Sequence, residues 1–204
     1  MANIVSFNSY KLRKGASASD FLLAIETLMK KFVSMQKGFV SSTTLVDGET
    51  WADFTVFETT DDLKTFVPLC NKNDLARKGY TFMDFGTMEN HVFTIERSFK
   101  KETNVTGNVA SFNSYNLKEG VSVPDFLLAT ETLINNFVSK QKGWISSKKL
   151  FDGERWADFV VFETIDDLKA FIPLCNKNEL AKKCWSFMSF GTLKGHVFTV
   201  KQSF

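Results

Sequence analysis

Two residue types in this sequence are suited to moving protons, and each occurs at equivalent places in two halves of the chain. Asp53 and His91 recur as Asp158 and His196, and the chain contains no other histidine. Histidine has an ordinary pKa near neutrality, and burial raises the pKa of an aspartate toward it. We therefore interpret these four residues as candidate catalytic acids or bases toward an acidic phenol or enol. Alternatively, each aspartate is bonded to a Lys, a Tyr or the backbone, and each histidine is hydrogen-bonded at a sheet end or exposed.

A second set of residues could hold a ligand. Asparagine offers both a donor and an acceptor, and aromatic rings stack on planar molecules. The candidate ligand-binding residues are Asn8, Tyr10, Trp51 and Phe57, with their copies Asn113, Tyr115, Trp156 and Phe162. The asparagines could equally tie neighbouring strands together, and the tryptophans could fill the core.

Other kinds of site find little support in the sequence. Cys70 and Cys175 lie in matching segments, whereas Cys184 stands where the first half has Gly79. No histidine stands at motif spacing from these cysteines, so we expect buried free thiols. The sequence has no C-x-x-C or H-x-x-x-H pair and no Gly-rich phosphate loop. We therefore expect neither a metal nor a cofactor.

Composition and charge narrow the class of protein. The chain has 204 residues, of which 44% are apolar and 24% charged, as in a globular protein. Its 25 basic and 23 acidic residues give a net charge of +2, which argues against a nucleic-acid or anionic-membrane partner. No apolar run is long enough to span a bilayer, and the start lacks a signal-peptide pattern. Three cysteines fit a reducing compartment, so we expect a cytoplasmic protein.

The chain is a tandem duplication. Residues 2–99 align without gaps to residues 107–204 at a constant offset of 105, and 62 of the 98 positions are identical. We predict two repeats, 1–99 and 107–204, joined by a linker at 100–106. At one place Lys148 and Lys149 replace Thr43 and Thr44. We interpret that difference as surface drift, the alternative being that it makes two pockets unequal.

Each repeat predicts the element order βαββαβ. Ser17-x-x-Asp20 resembles a helix-capping box and precedes apolar residues at helical spacing. Asp47-Gly48 lies between two strand-like runs and predicts a tight hairpin turn. Thr59-x-x-Asp62 begins a second predicted helix, and a last strand ends the repeat. This order is that of the ferredoxin-like fold.

Alternation along the strands separates the two faces of each predicted sheet. Val5 and Phe7 share one face of the first strand, and Asn8 and Tyr10 share the other. We predict that the uniformly apolar sets lie under the helices and that the mixed sets, with Trp51, face a second sheet. The fold class is then α+β: two ferredoxin-like repeats whose antiparallel sheets pack face to face as a single-chain pseudo-dimeric α/β barrel. A further homo-oligomer stays open.

The residues also resemble a known superfamily. Tyr10–Gly15, Gln36–Phe39 and Trp51–Thr59 together resemble the dimeric α/β-barrel superfamily, and within it the antibiotic-biosynthesis-monooxygenase-like branch. The resemblance covers nearly all of both repeats. It implies the fold more than an activity, because this fold hosts oxygenases, isomerases, haem proteins and binding proteins.

Haem-degrading members of the superfamily carry an Asn on the first strand, a Trp near the end of the third strand and a helical His that ligates iron. Asn8 and Asn113 match the first of these positions, and Phe57 and Phe162 fill the second. Neither repeat has a histidine in a predicted helix. The sequence therefore disfavours haem breakdown.

Two functions follow as expectations. The resemblance implies a cofactor-independent oxygenase acting on a small aromatic or polyketide-like substrate, in which deprotonation activates the substrate itself. The alternative is a non-catalytic ligand-binding or stress-related barrel protein with the same pocket. Either way we expect a small hydrophobic or aromatic partner, held in one pocket per repeat. The sequence leaves open whether the protein is an enzyme.

Overall fold

The computed structural model describes residues 3–102 and 107–204. Both repeats fold with the predicted order βαββαβ, and a short additional helix precedes the last strand of each. The first repeat contains β1 (Ile4–Leu12), α1 (Ala18–Lys31), β2 (Phe39–Asp47), β3 (Thr50–Phe57), α2 (Thr60–Lys72), α3 (Asp74–Tyr80) and β4 (Met83–Lys100). The second contains β5 (Val109–Leu117), α4 (Val123–Asn136), β6 (Trp144–Phe151), β7 (Trp156–Phe162), α5 (Ile165–Lys177), α6 (Glu179–Ser186) and β8 (Met188–Ser203). Of the predicted linker, Lys100 ends β4, and residues 103–106 lie outside the described residues.

Polar side chains set where the helices begin. The Ser17 side chain accepts a hydrogen bond from the Asp20 amide at the start of α1, and Thr59 accepts one from Asp62 at the start of α2. Asn73 separates α2 from α3, because its backbone is extended and its side-chain oxygen accepts from the first amides of α3. Each such bond satisfies an amide that the helix itself leaves unpaired. The same caps recur at Ser122, Thr164 and Asn178.

The strands form an antiparallel barrel. Their hydrogen-bonded order is closed: β1, β3, β2, β8, β5, β7, β6, β4 and back to β1. Together with the six α-helices of residues 3–102 and 107–204, this order confirms the predicted fold class, a single-chain pseudo-dimeric α/β barrel. Among the described residues no helix has both the length and the hydropathy needed to cross a membrane.

The chain forms two compact units that exchange the ends of their last strands. The first unit comprises Met1–Thr94 and Val200–Phe204, and the second comprises Ile95–Thr199. Within the first unit the backbone of Ser42 in β2 exchanges two hydrogen bonds with Phe204, at 2.9 and 3.1 Å. The final residues of the chain therefore extend the sheet of the first unit.

The sheet face under the helices is the polar-aromatic one. In the first unit, the Phe21 ring of α1 lies 6.1 Å from the ring of Tyr10 and 5.2 Å from that of Trp51, centroid to centroid. Tyr10 and Trp51 belong with Ile25 and Leu28 to the core between sheet and helices. Because side chains alternate, the uniformly apolar set lies on the opposite face: Val5, Phe7, Ala52, Phe54 and Val56. Our prediction assigned the two faces the other way round and was wrong.

Two physical facts explain this reversal. Polar side chains under the helices bond to one another, as Ser42 does to Thr55 at 2.9 Å, so their burial costs little. The opposite face of the same strands is also buried, and the uniformly apolar set with Val5, Phe7 and Phe54 lies there. A mixed pattern of polar and aromatic residues on a strand is therefore compatible with the face that the helices cover.

Candidate functional site

The first unit contains a cavity of about 300 Å³ between its sheet and its helices. One wall is the polar sheet face, to which β1, β2 and β3 contribute Ser6, Asn8, Tyr10, Ser42, Asp53 and Thr55. The facing wall is apolar and comes mainly from α1 and α2, with Ile25, Leu28, Met29, Leu63 and Phe66. A small volume with one apolar wall and a few convergent polar groups is typical of ligand pockets.

Asp53 is the acidic group of this cavity. Its Oδ2 accepts a hydrogen bond from the Tyr10 hydroxyl at 2.7 Å, and its Oδ1 accepts one from Thr44 Oγ1 at 3.1 Å. Strand register places it directly between Asn8 on β1 and Thr44 on β2. Three neighbouring strands thus fix the carboxylate in one orientation.

Burial changes the acidity of both partners in the Tyr10–Asp53 bond. The loss of water around Asp53 raises the pKa of its carboxyl to about 6, although the hydrogen bonds from Tyr10 and Thr44 lower it. Burial, and then the nearby Asp53 charge, raise the pKa of the Tyr10 hydroxyl well above its ordinary value. Near neutral pH Asp53 is therefore a carboxylate that takes up a proton more readily than an exposed one, and Tyr10 stays a donor.

Cys70 also lines the cavity but does not have the properties of a nucleophile. Its Sγ lies 3.3 Å from the Tyr80 hydroxyl, and burial raises the pKa of the thiol. The thiolate, which is the reactive form, is disfavoured there. The three cysteines of the chain are free, as the sequence predicted, and all three are buried.

The histidines do not join Asp53. In the β1–β4 register His91 stands opposite Phe7 and not opposite Asn8, so it lies on the sheet face away from the cavity. Its ring stacks on Phe93, with centroids 5.8 Å apart. His196 occupies the same place in the second unit, where it stacks on Phe198 at 5.4 Å. The structure therefore does not bring the predicted catalytic Asp and His together.

Two of the four predicted ligand-binding positions line the cavity, and two do not. Asn8 and Tyr10 contribute to its polar wall. Trp51 is buried against Phe21, and Phe57 is fully buried with its ring 5.0 Å from that of Phe66, so both act as core. Their copies behave alike, since Trp156 packs on Phe126 at 5.0 Å and Phe162 on Phe171 at 5.2 Å.

In the second unit the corresponding polar groups bind a lysine. Tyr115 donates to Asp158 at 2.9 Å, as Tyr10 does to Asp53, and Asn113 donates to Ser111 at 2.9 Å. Lys149 stands where the first unit has Thr44, pairs with Asp158 and donates to the Tyr115 hydroxyl at 2.5 Å. Its side chain is 2% exposed. The interpretation of the Lys149 replacement as surface drift was wrong.

Sequence reasoning missed several residues of the site. Thr44, Thr55 and Tyr80 are single polar residues within strand or helix patterns, and only their contacts give them a role. Asn90 lines the cavity opposite Asn8, one position before the histidine that was chosen. One signal was available: all four positions differ between the otherwise similar repeats, and the second repeat has Lys149, Val160, Trp185 and Gly195 there. Within the described residues no cluster of three His, Cys, Asp or Glu side chains could hold a metal ion.

Solved structures share this fold. A candidate monooxygenase from Fusobacterium nucleatum superposes with a TM-score of 0.75 at 12% identity, over 99% of this chain and 94% of that one. A ferredoxin-fold protein from Listeria monocytogenes, described as related to antibiotic biosynthesis monooxygenases, gives 0.58 at 12% identity over 99% and 96%. A heme-degrading enzyme from the same species gives 0.57 at 12% identity over 97% and 99%.

At 12% identity these likenesses concern the fold alone. They confirm the resemblance seen in the sequence: the chain has the fold of the dimeric α/β-barrel superfamily. No protein-family model and no curated protein sequence matches the chain.

The cavity residues do not fit a haem group. Among the described residues that line the cavity there is no histidine, because His91 lies on the other face of the sheet. The raised pKa values of Cys70 and Tyr10 disfavour the thiolate or phenolate that could replace an imidazole on iron. No step of the function proposed below involves haem.

Proposed function

We propose that the cavity of the first unit binds a small aromatic molecule carrying an acidic hydroxyl or methylene group, and that Asp53 removes its proton. The observation that carries this proposal is the Asp53 carboxyl, with its pKa raised to about 6, on the polar wall of a cavity whose other wall is apolar. A general base works best when its pKa lies near the working pH.

The two walls suit the two parts of such a molecule. Leu28, Met29 and Phe66 offer an apolar surface for a planar ring. The Met29 thioether and the Phe66 ring both make favourable contacts with aromatic rings. The polar edge of the molecule would then face Asp53 and Asn8. The Asn8 amide donates one hydrogen to Ser6 at 3.2 Å, and an amide nitrogen carries two. Its second hydrogen is available to a ligand oxygen.

Deprotonation is sufficient to start an oxygenation. Asp53 takes the proton of an activated methylene, and the resulting enolate holds the electrons that reduce O₂. Overall, R₂CH₂ and O₂ give R₂C=O and H₂O, so the methylene carbon is oxidised, one oxygen atom enters the product, and the other leaves as water. The Tyr10 hydroxyl stays protonated and holds the Asp53 carboxylate in place, and the second amide hydrogen of Asn8 can be donated to the oxyanion that develops.

Asp53→Asn tests the proposal, because it keeps the size of the side chain and removes the base. We expect 2-naphthol to bind both forms within a few-fold of each other in a fluorescence titration. With anthrone as the substrate, we expect O₂ uptake by the wild type and a loss of about 10²–10⁴-fold in the variant. His91→Gln tests the other candidate base, and we expect it to keep its O₂ uptake. If His91→Gln loses O₂ uptake and Asp53→Asn keeps it, Asp53 is not the base.

Binding without turnover is the second candidate. Both oxygens of Asp53 already accept hydrogen bonds from protein side chains, which is what a structural carboxylate would do. On that alternative 2-naphthol binds with a measurable affinity, but no aromatic substrate consumes O₂. If 2-naphthol fails to bind at millimolar concentration, both candidates are wrong.

A further inference from the structure

The sites of the two units differ at several positions, and one of these differences changes the partner of the aspartate. Thr44 stands opposite Asp53 in the β2–β3 register, and Lys149 stands opposite Asp158 in the β6–β7 register. Asn8, Tyr10 and the aspartate are the same in both units. A short hydroxyl side chain on one side is thus replaced by a long cationic one on the other.

Lys149 binds the second unit's counterparts of two groups that face the cavity in the first unit. Its ammonium pairs with Asp158 Oδ1 and donates to the Tyr115 hydroxyl, and the counterparts of these two residues, Asp53 and Tyr10, line the cavity. The same nitrogen lies 4.8 Å from the centre of the Phe126 ring, as in a cation–π contact. An ammonium with a carboxylate, a hydroxyl and a ring as partners is held in place as part of the fold.

A second difference is a paired exchange of side chains in the same region. Gly79 lines the cavity of the first unit, and a Cβ atom built on it would lie 3.4 Å from Ile25 Cδ1. Its counterpart Cys184 is buried and its Sγ lies 3.5 Å from the hydroxyl of Thr130, the counterpart of Ile25. The larger Cys184 therefore comes with the smaller Thr130, so this exchange changes the shape of the region more than its volume.

We infer that the two units are functionally unequal: the first binds the aromatic ligand, and the second is closed to it by the Lys149 side chain. This inference rests on the proposed function of the Asp53 cavity. It makes the residue at position 44 and its copy at 149 the determinant of which unit binds. One chain then takes up one ligand.

Fluorine NMR of protein labelled with 5-fluorotryptophan can report on each unit separately, with 2-naphthol as the probe. Trp51 packs on Phe21 beside the first site, and Trp156 packs on Phe126 at the equivalent place in the second unit. Trp51→Phe and Trp156→Phe assign the two signals. In the wild type we expect 2-naphthol to shift the Trp51 signal alone and to saturate at one equivalent. Saturation at two equivalents with shifts of both signals would overturn the inference.

Exchanging the two residues tests the cause. We expect Thr44→Lys to weaken binding of 2-naphthol at least tenfold, because the new ammonium would bind Asp53 and Tyr10. We expect Lys149→Thr to add a response at Trp156 and a second equivalent of ligand. Thr43→Lys and Lys148→Thr are matched controls, since these neighbours lie on the opposite sheet face, across from Phe54 and Phe159.

The outcomes separate this inference from the proposed function. No shift of any signal in the wild type rejects the proposed function and the inference with it. A normal Trp51 response that persists in Thr44→Lys rejects only the inference. If Lys149→Thr keeps dispersed fluorine signals but gains no Trp156 response, Lys149 is not the residue that closes the second unit. If that variant does not fold, the Thr44→Lys result decides.

Discussion

At the scale of the residue, the same aspartate has different surroundings in the two halves of the chain. Asp53 has a tyrosine and a threonine as its hydrogen-bond partners, and Asp158 has a tyrosine and a lysine. Neutral donors leave the burial of Asp53 uncompensated by an opposite charge, which is why its pKa rises to about 6. The residue opposite the aspartate on the adjacent strand, Thr44 or Lys149, therefore determines whether the carboxylate has a neutral or a charged partner.

The first prediction concerns the pH dependence of the proposed reaction. Asp53 acts as a base only when it is ionised, so kcat/KM should fall as the pH drops through about 6. The residual rate of Asp53→Asn should lack this step. Initial rates of O₂ uptake between pH 5 and 8 measure both profiles. A wild-type profile that is flat over this range, or a step that survives in Asp53→Asn, would contradict the assignment.

The second prediction concerns stability. The pKa of Asp53 is higher in the folded chain, at about 6, than its ordinary value of 3.8, so the folded chain holds this proton more tightly than the unfolded one. The stability that protonation contributes is complete below about pH 4, falls as the pH rises toward 6, and is level above it. The full shift corresponds to about 3 kcal/mol at most.

Urea unfolding at a series of pH values checks this effect. Relative to Asp53→Asn, the wild type should lose about 1–3 kcal/mol of unfolding free energy between pH 4 and 6. Groups other than Asp53 titrate in both proteins and cancel in the difference. Parallel stability curves for the two proteins would show that the Asp53 pKa is not raised.

At the scale of the element, the turn before β2 depends on a glycine with no room for a side chain. Gly38 has a φ of +71°, and a Cβ atom there would lie 2.4 Å from Cγ of the buried Asp62. Its carbonyl accepts a hydrogen bond from the Glu58 amide at 2.7 Å, which ties the turn to the end of β3. Because Asp62 also bonds to the capping Thr59, this turn joins the start of β2 to the start of α2.

The third prediction compares two glycines. Gly38→Ala should destabilise the fold by well over 1 kcal/mol, because it combines a left-handed backbone with a clash against Asp62. Gly15 has a φ of +83° but nothing within 4 Å of a built Cβ, so Gly15→Ala should cost only the backbone part, about 1 kcal/mol. Urea unfolding of both variants measures the difference. Equal losses would mean that Asp62 moves aside without cost.

At the scale of the whole molecule, the end of the chain completes the first unit. Phe204 pairs with Ser42, and the Gln202 amide donates to the Leu22 carbonyl at 3.1 Å. Phe204 also packs against the core under the helices of the first unit. Ser42 lines the cavity, and its partner Phe204 lies far from it in the sequence. This pairing therefore links the last residues of the sequence to the site.

The fourth prediction is that removing residues 200–204 weakens the first unit selectively. Amide exchange of Ser42 should accelerate, because its partner Phe204 is lost, and binding of 2-naphthol should weaken. Gln202→Ala removes only the side-chain bond to Leu22 and should have a smaller effect. Hydrogen exchange followed by NMR gives the comparison residue by residue. Unchanged exchange at Ser42 in the truncated chain would contradict this role of the last strand.

The sequence by itself determined the duplication, the order of elements and the fold class. These features depend on local signals, namely the repeat at an offset of 105, the capping residues Ser17 and Thr59, and the Asp47-Gly48 turn. Such signals act over a few residues, so they can be recognised without tertiary contacts. Asn8, Tyr10 and Asp53 were also correctly placed on one sheet face, because alternation along a strand and pairing between strands are regular.

Only the tertiary structure decided whether the helices cover that face of the sheet. Alternation separates two faces but does not say which of them the helices cover. Hydrophobicity alone gives the wrong answer here, because the buried polar groups bond to each other. His91 was a candidate catalytic residue because of its residue type, and only the β1–β4 register shows that it lies on the sheet face opposite to Asp53. Lys149 looked like surface drift because a lysine is usually exposed, and only its contacts with Asp158 and Tyr115 show why it is buried.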